Sequence, residues 1–314
     1  MKKIFYTCSL LLTSLIISIN AQSLKSSEAE RIIYEDGKVF MSPVWSPDGS
    51  MIAFTEENYS GIYVRNLQEN SIKQITDEPA AGFVIKWSQN SENILTRVAR
   101  FEGARRYNAV KIFNVMTGEE KQLSEYRTMM PGIPEWTNGD EDVFIYNTEK
   151  LEIFPTGLTS SDTQTTDQII YKRNNKIAVE NLAAESINIY EPVQDSEILN
   201  LIVSPDGRKA AFEIIGSDMY LMNIDGTGLT NLGKGYRPSW SPDNNYLVYM
   251  ITEDDGHRIL SSDLYSIKID GTEKTNLTNT SDNLEMNPDW SPDGKKIAYD
   301  VLDEGAIYLM VIGE

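Results

Sequence analysis

Cysteine and histidine are almost missing from this 314-residue chain, which has one of each, Cys8 and His257. A single cysteine cannot close a disulfide within the chain or build a Cys-based zinc site. A single histidine excludes a multi-histidine metal centre. Basic residues are also scarce, 28 Lys and Arg against 47 Asp and Glu, for a net charge of −19. That balance excludes a nucleic-acid binder, which must neutralise phosphates with clustered cations. It also disfavours adhesion to an anionic membrane surface. Long apolar runs are missing after the first twenty residues. What remains, 40% hydrophobic residues, is ample for a large core in one or two domains.

The one apolar run lies at the start. Lys2 and Lys3 precede Ile4 to Ile19, and Asn20-Ala21-Gln22 follow. A basic start, a short greasy middle and a small exit residue predict a secretory signal peptide over residues 1–21. Ser9, Thr13, Ser14 and Ser18 make the run too polar for a good membrane anchor. Cys8 lies too early to accept a lipid. Cleavage after Ala21 removes two lysines, no acid and the only cysteine, leaving 26 bases against 47 acids, or −21. The expected product is residues 22–314 as one domain, periplasmic or secreted, with no transmembrane segment.

That product is repetitive. Trp45-Ser46-Pro47-Asp48-Gly49 returns as Trp290-Ser291-Pro292-Asp293-Gly294, as Val203-Ser204-Pro205-Asp206-Gly207 and as Trp240-Ser241-Pro242-Asp243-Asn244. Trp87-Ser88-Gln89-Asn90 and Trp136-Thr137-Asn138-Gly139 are degenerate copies. Pro fixes φ, Asp bonds its own backbone and Gly accepts positive φ, so each phrase is a tight hairpin turn. Strand-like phrases follow each turn, such as Met51-Ile52-Ala53-Phe54 and Lys296-Ile297-Ala298-Tyr299. Third strands ending in Asp-Gly-Thr (225–227 and 270–272) and short fourth strands complete the unit. Four strands per 40 to 50 residues is the signature of a propeller blade.

Six turns predict an all-β, six-bladed propeller of four-stranded antiparallel blades. Between the Ser or Thr positions the spacings are 42, 49, 67, 37 and 50. The 67 is read as one blade, the third, with Asp142–Tyr146 as second strand, Lys176–Val179 as third, and an extended loop, Pro155 to Asp167, between them. The last copy has only three strands, and residues 30–34 precede the first turn without a blade of their own. They are expected to close the ring as the outer strand of the last blade.

Together the Trp-Ser-Pro-Asp-Gly, Ile-Ala-Tyr and Ile-Asp-Gly-Thr phrases resemble the TolB-type, WD-repeat-like propeller family over residues 30–314. The resemblance implies the fold and, for TolB itself, a periplasmic partner-binding role. TolB carries a separate α/β domain ahead of its propeller, and with only a few residues between the expected leader and the ring, such a domain is expected to be absent here. Similar propellers in prolyl-oligopeptidase-type enzymes accompany a hydrolase domain, for which this sequence has no counterpart. Oligogalacturonate lyases also resemble this propeller type, but their metal is held by several histidines that this chain cannot supply.

No catalytic constellation emerges. A Gly-x-Ser-x-Gly elbow is missing, and His257 lies in the hairpin segment Glu253 to Arg258. The repeated Trp residues are expected to wedge between blades, and the repeated Asp residues to organise turns. No metal ligands and no cofactor are assigned. The informative residues are the cations. Arg97, Arg100, Arg105 and Arg106 cluster in one interstrand connection with Phe101 and Tyr107, while Tyr126-Arg127, Tyr236-Arg237 and His257-Arg258 occupy equivalent loops. Arginine and tyrosine anchor recognition surfaces, and here they would form a positive mouth for a carboxylate. The expected ligand-binding set is therefore Arg100, Arg105, Arg106, Tyr107, Tyr126, Arg127, Tyr236, Arg237, His257 and Arg258. The expected function is a monomeric, non-catalytic binding protein for an envelope protein, peptide or glycan. The alternative is a small carbohydrate-active hydrolase or lyase with carboxylates at the funnel.

Overall fold

The computed structural model describes residues 24–159 and 168–313. The expected signal peptide therefore lies outside the described residues, as does most of the extended loop. Two short strands, β1 (Lys25–Ser26) and β2 (Glu30–Ile33), come first. Blade 1 is β3 (Phe40–Trp45), β4 (Met51–Glu56), β5 (Ser60–Asn66) and β6 (Ser71–Thr76). Blade 2 is β7 (Lys86–Trp87), β8 (Asn93–Glu102), β9 (Arg105–Asn114) and β10 (Glu120–Gln122). Blade 3 is β11 (Glu135–Thr137), β12 (Asp142–Asn147) and β13 (Lys150–Pro155). Blade 4 is β14 (Gln168–Arg173), β15 (Lys176–Asn181) and β16 (Ser186–Tyr190). Blade 5 is β17 (Ile198–Val203), β18 (Lys209–Ile214), β19 (Met219–Asn223) and β20 (Thr230–Gly233). Blade 6 is β21 (Tyr236–Trp240), β22 (Tyr246–Asp254), β23 (Ile259–Lys268) and β24 (Thr275–Asn276). Blade 7 is β25 (Glu285–Trp290), β26 (Lys296–Val301) and β27 (Ala306–Gly313), with β1 and β2 both antiparallel to β27. The first and last described strands thus meet in one sheet.

The ring has seven blades, not the six expected, and two of them carry three strands among the described residues. The 67-residue interval holds two blades. Lys176–Asn181 is the second strand of blade 4, and Asp142–Asn147 the second strand of blade 3. The fourth blade escapes the motif for a physical reason. Its first turn is the two-residue Asn174-Asn175, with Asn174 at φ 56°, a left-handed position that asparagine tolerates without Ser-Pro-Asp. Its wedge is Tyr171 instead of Trp. That ring stacks on Tyr146 of blade 3 at 5.1 Å, and its hydroxyl donates to Glu180 at 2.6 Å.

In the recurrent turns the serine is the buried pivot. Ser46 Oγ donates to Asp48 at 2.7 Å and accepts the Met51 N–H at 2.9 Å. Ser204, Ser241 and Ser291 repeat both bonds with Asp206, Asp243 and Asp293. Ser88 does so with Asn90, which explains why the degenerate copy still turns. These bonds hold the carboxyls of Asp206 and Asp293 below their usual range. Each tryptophan packs against the preceding blade. Trp87 joins Ile62 and Val64, Trp240 joins Ala211 and Leu221, and Trp290 joins Val248 and Leu264. A wedged Trp removes most of its apolar area from water, so each is worth several kcal/mol, about 3–5 on truncation.

Candidate functional site: the channel mouth and its loop face

The inner strands surround a central channel of about 540 Å³. In six of the seven blades its wall includes the residue just before the wedge position: Val44, Lys86, Glu135, Ile202, Ser239 and Asp289. Lys86 and Glu135 form an ion pair at 2.9 Å that joins blades 2 and 3. Asp289 joins three blades. One carboxylate oxygen accepts the Trp45 N–H of blade 1 at 2.8 Å, and the other accepts the Ser239 hydroxyl of blade 6 at 2.9 Å. Burial outweighs those bonds and pushes its carboxyl up to about 6.

Four inner strands bulge at a left-handed residue: Ser42 (φ 54°), Asn200 (φ 45°), Arg237 (φ 53°) and Asn287 (φ 48°). Such backbone costs energy for a residue with a Cβ and persists only when clamped. Two buried acids on second strands are the clamps. Glu213 Oε1 accepts Asn200 Nδ2 and the Arg237 N–H, both at 2.7 Å. Asp300 Oδ1 accepts Asn287 Nδ2 at 2.9 Å and the Ser42 N–H at 2.8 Å. Each acid therefore fixes the bulge of its own blade and that of the next. Burial raises both carboxyls, Asp300 to about 6. Blade 2 places a cation at the equivalent position. Arg97 is 9% exposed and donates to the carbonyls of Met130 (2.6 Å) and Gly132 (2.9 Å), on the segment entering blade 3. Its guanidinium also lies over the Phe83 ring at 5.2 Å.

Around the mouth near blades 1 to 3, apolar groups face outward. Tyr59 meets Phe83 edge to face at 5.3 Å, and Phe83 and Ile133 are 42% and 46% exposed. All three line the channel. The β8–β9 hairpin stands beside them and carries much of the expected cation cluster. Arg100 lies over Tyr126 at 4.4 Å and over Tyr107 at 5.7 Å, and pairs with Glu102 at 3.1 Å. Tyr126 donates to Glu78 at 3.2 Å. Arg106 donates to Asn108 at 2.9 Å, and Arg105 is exposed near the hairpin tip. Arg127 exchanges backbone bonds with Asn108 and pairs with Glu152 of blade 3 at 2.6 Å.

The other sequence-predicted residues lie apart from this group. Arg237 is exposed at the channel, while the neighbouring Tyr236 is half-buried and packs into the core between blades 6 and 7. His257 and Arg258 cap the β22–β23 hairpin, their N–H groups bonded to Asp255. Sequence reading missed Tyr59, Phe83 and Ile133, which belong to short links without a motif. It also missed the clamps, although a signal existed. Glu213, Asp300 and Arg97 each stand ten residues after the wedge position, as a charged residue within the second strand, and Arg97 was read only as part of the cation cluster.

Among the described residues, no helix is long and apolar enough to cross a membrane, and no cluster of three His, Cys, Asp or Glu is arranged to hold a metal ion. No family model matches the chain, and no curated protein matches it. Solved structures do resemble it. The chain matches TolB from Acinetobacter baumannii with a TM-score of 0.55 at 17% identity, over 83% of its own length and 59% of TolB's. It matches a chain of the Mitotic Checkpoint Complex with a TM-score of 0.63 at 11% identity, over 100% and 99% of the two chains. It matches the β-propeller domain of Myceliophteria thermophila Cps50 (Swd1) with a TM-score of 0.64 at 9% identity, over 90% and 99%. At these identities the likeness is one of fold: the chain is a β-propeller.

Proposed function

We propose that this protein is an exported, non-catalytic binding module that holds an envelope protein, peptide or glycan on the loop face of its propeller. The observation that carries the reading is the pair of exposed apolar side chains Phe83 and Ile133 lining the channel, with the exposed Arg100, Arg105 and Arg106 on the β8–β9 hairpin. Hot spots of binding favour aromatic rings and arginine beside a pocket. Arg237 adds a cation at the opposite side of the channel, suited to a carboxylate on the ligand. The competing carbohydrate-active reading needs channel carboxylates free for chemistry. Asp289 and Glu135 are instead engaged in bonds between blades.

The test is capture from an envelope fraction on the immobilised protein, with bound material identified by mass spectrometry. Phe83→Ala and the Arg105→Ala/Arg106→Ala pair should each retain at least about tenfold less of the captured partner. Equal capture by wild type and both variants rejects the reading. New reducing or unsaturated ends released from polyuronate or neutral glycans would favour the enzyme instead.

A further inference from the structure

Blades 3 and 4 are adjacent and, among the described residues, both have three strands, so β13 and β16 form the outer rim there where other blades carry a fourth. Only residues 191–197 separate β16 from the inner strand of blade 5, and Pro192 among them has no N–H to give to a ladder. The exposed rim is apolar. Ile187 and Ile189 share the face of β16 that looks toward blade 3, as does Ala178 opposite Ile189. Ile153 shares the face of β13 that looks toward blade 4, with Leu151 and the cross-strand Phe144. Ile153, Ile187 and Ile189 are 45%, 39% and 46% exposed.

Outer strands elsewhere in the ring are blunted. Charges protect β6 (Lys73), β10 (Glu120, Lys121), β13 (Lys150, Glu152) and β2 (Glu30, Arg31), while β20 and β24 are only four and two residues long. By contrast β16 is five residues, Ser-Ile-Asn-Ile-Tyr, without a charge or a proline. An edge of that kind is a template for another strand.

The sequence of β16 points to the occupant. It is nearly palindromic about Asn188. In an antiparallel pair with a second copy, Asn188 faces its own mate, Ile187 faces Ile189, and Ser186 faces Tyr190. A two-fold axis through Asn188 makes the edge self-complementary and gathers four isoleucines on one face. We propose that the protein self-associates through β16 into a symmetric dimer, joining the fourth blades of two copies into one six-stranded sheet. This departs from the monomer expected from the sequence, and it leaves the channel mouth free. At each end of the pair Glu185 stands opposite Glu191 of the second copy. Lys176 pairs with Glu191 at 2.7 Å and offsets only part of that repulsion.

The test has two arms, both on the full chain. Sedimentation over a range of concentrations should show a monomer–dimer equilibrium that tightens with added salt. Ile187→Lys/Ile189→Lys should weaken it at least tenfold while leaving the melt of the dilute, monomeric protein unchanged, because both side chains are exposed in one copy. In a Cys8→Ser background, Asn188→Cys should form an oxidised dimer. Directly opposed antiparallel residues stand about 4.5–5.5 Å apart at Cα, within the range of about 4.4–6.8 Å that a disulfide spans. Ser186→Cys, displaced from the axis, should cross-link poorly. A monomer at every concentration and salt, a dimer indifferent to the lysines, or equal cross-linking at both positions would overturn the proposal.

Discussion

Blades 5, 6, 7 and 1 keep the Ser-Pro-Asp turn, the left-handed bulge and four strands or their equivalent. Blades 2, 3 and 4 lose these one by one. Their turns degenerate, two of them drop a strand, and the inner-strand bulge is not repeated. The polar bonds that hold the two sectors differ accordingly. In the regular half, Asp289, Asp300 and Glu213 link neighbouring blades from inside the wall. In the irregular half an arginine, Arg97, takes the clamp position, and the spare length goes into the β8–β9 hairpin and its exposed rings. The difference teaches that one half of the ring is specified for closure, and the other is released to present side chains.

That comparison can be broken in steps. The largest effect should come from opening the ring. Removing residues 27–34 takes away β2, which pairs with β27, and should lower the melting temperature by more than about 10 °C. An unchanged melt would contradict closure by the chain ends. Next come the clamps. Asp300→Ala strands the Ser42 N–H and the Asn287 amide and should cost about 3–5 kcal/mol, read as a loss of thermal stability. Glu213→Ala should cost nearly as much, because it strands the corresponding pair of donors, the Asn200 amide and the Arg237 N–H.

A smaller effect is electrostatic. Asp289 and Asp300 have folded pKa values raised to about 6 from 3.8, so the folded state binds their protons more tightly than the unfolded chain. Their contribution is fully present below about pH 4 and is lost as pH rises through 6. Asp289→Asn can still accept from the Trp45 N–H while its amide donates to Ser239. It should therefore be more stable than wild type at pH 7 by about 1–2 kcal/mol, read as a higher melting temperature, with a flatter profile between pH 4 and 6. An identical profile would show that this carboxylate does not titrate as its burial implies. The smallest effect belongs to the irregular half. Arg105→Ala/Arg106→Ala should leave stability within about 0.5 kcal/mol while weakening partner capture. A large loss of stability would erase the division between the sectors.

The same division decided what could be read from the sequence. Where Trp, Ser, Pro and Asp recur, a wedge and a turn follow directly from side-chain chemistry, so those blades were legible. Blade 4 was not, because Tyr171 and Asn174-Asn175 perform the same two tasks with residues that occur in any β-protein. A count based on the motif therefore returned six. The cations of the β8–β9 hairpin were visible because arginine is rare in this chain, but their grouping was not. Only the fold shows Arg100 lying over both Tyr126 and Tyr107, and Tyr236 packed into the core. Phe83 and Tyr59 lie in links too short for any periodicity, and the ring closure that brings them to the mouth is non-local.

The most direct test is hydrogen–deuterium exchange on the protein with and without its captured envelope partner. Bound partner should slow exchange at residues 57–59, at 81–83 and along the β8–β9 hairpin, and leave the Ser-Pro-Asp turns on the opposite face unchanged. Protection confined to those turns, with none at the channel mouth, would contradict the account.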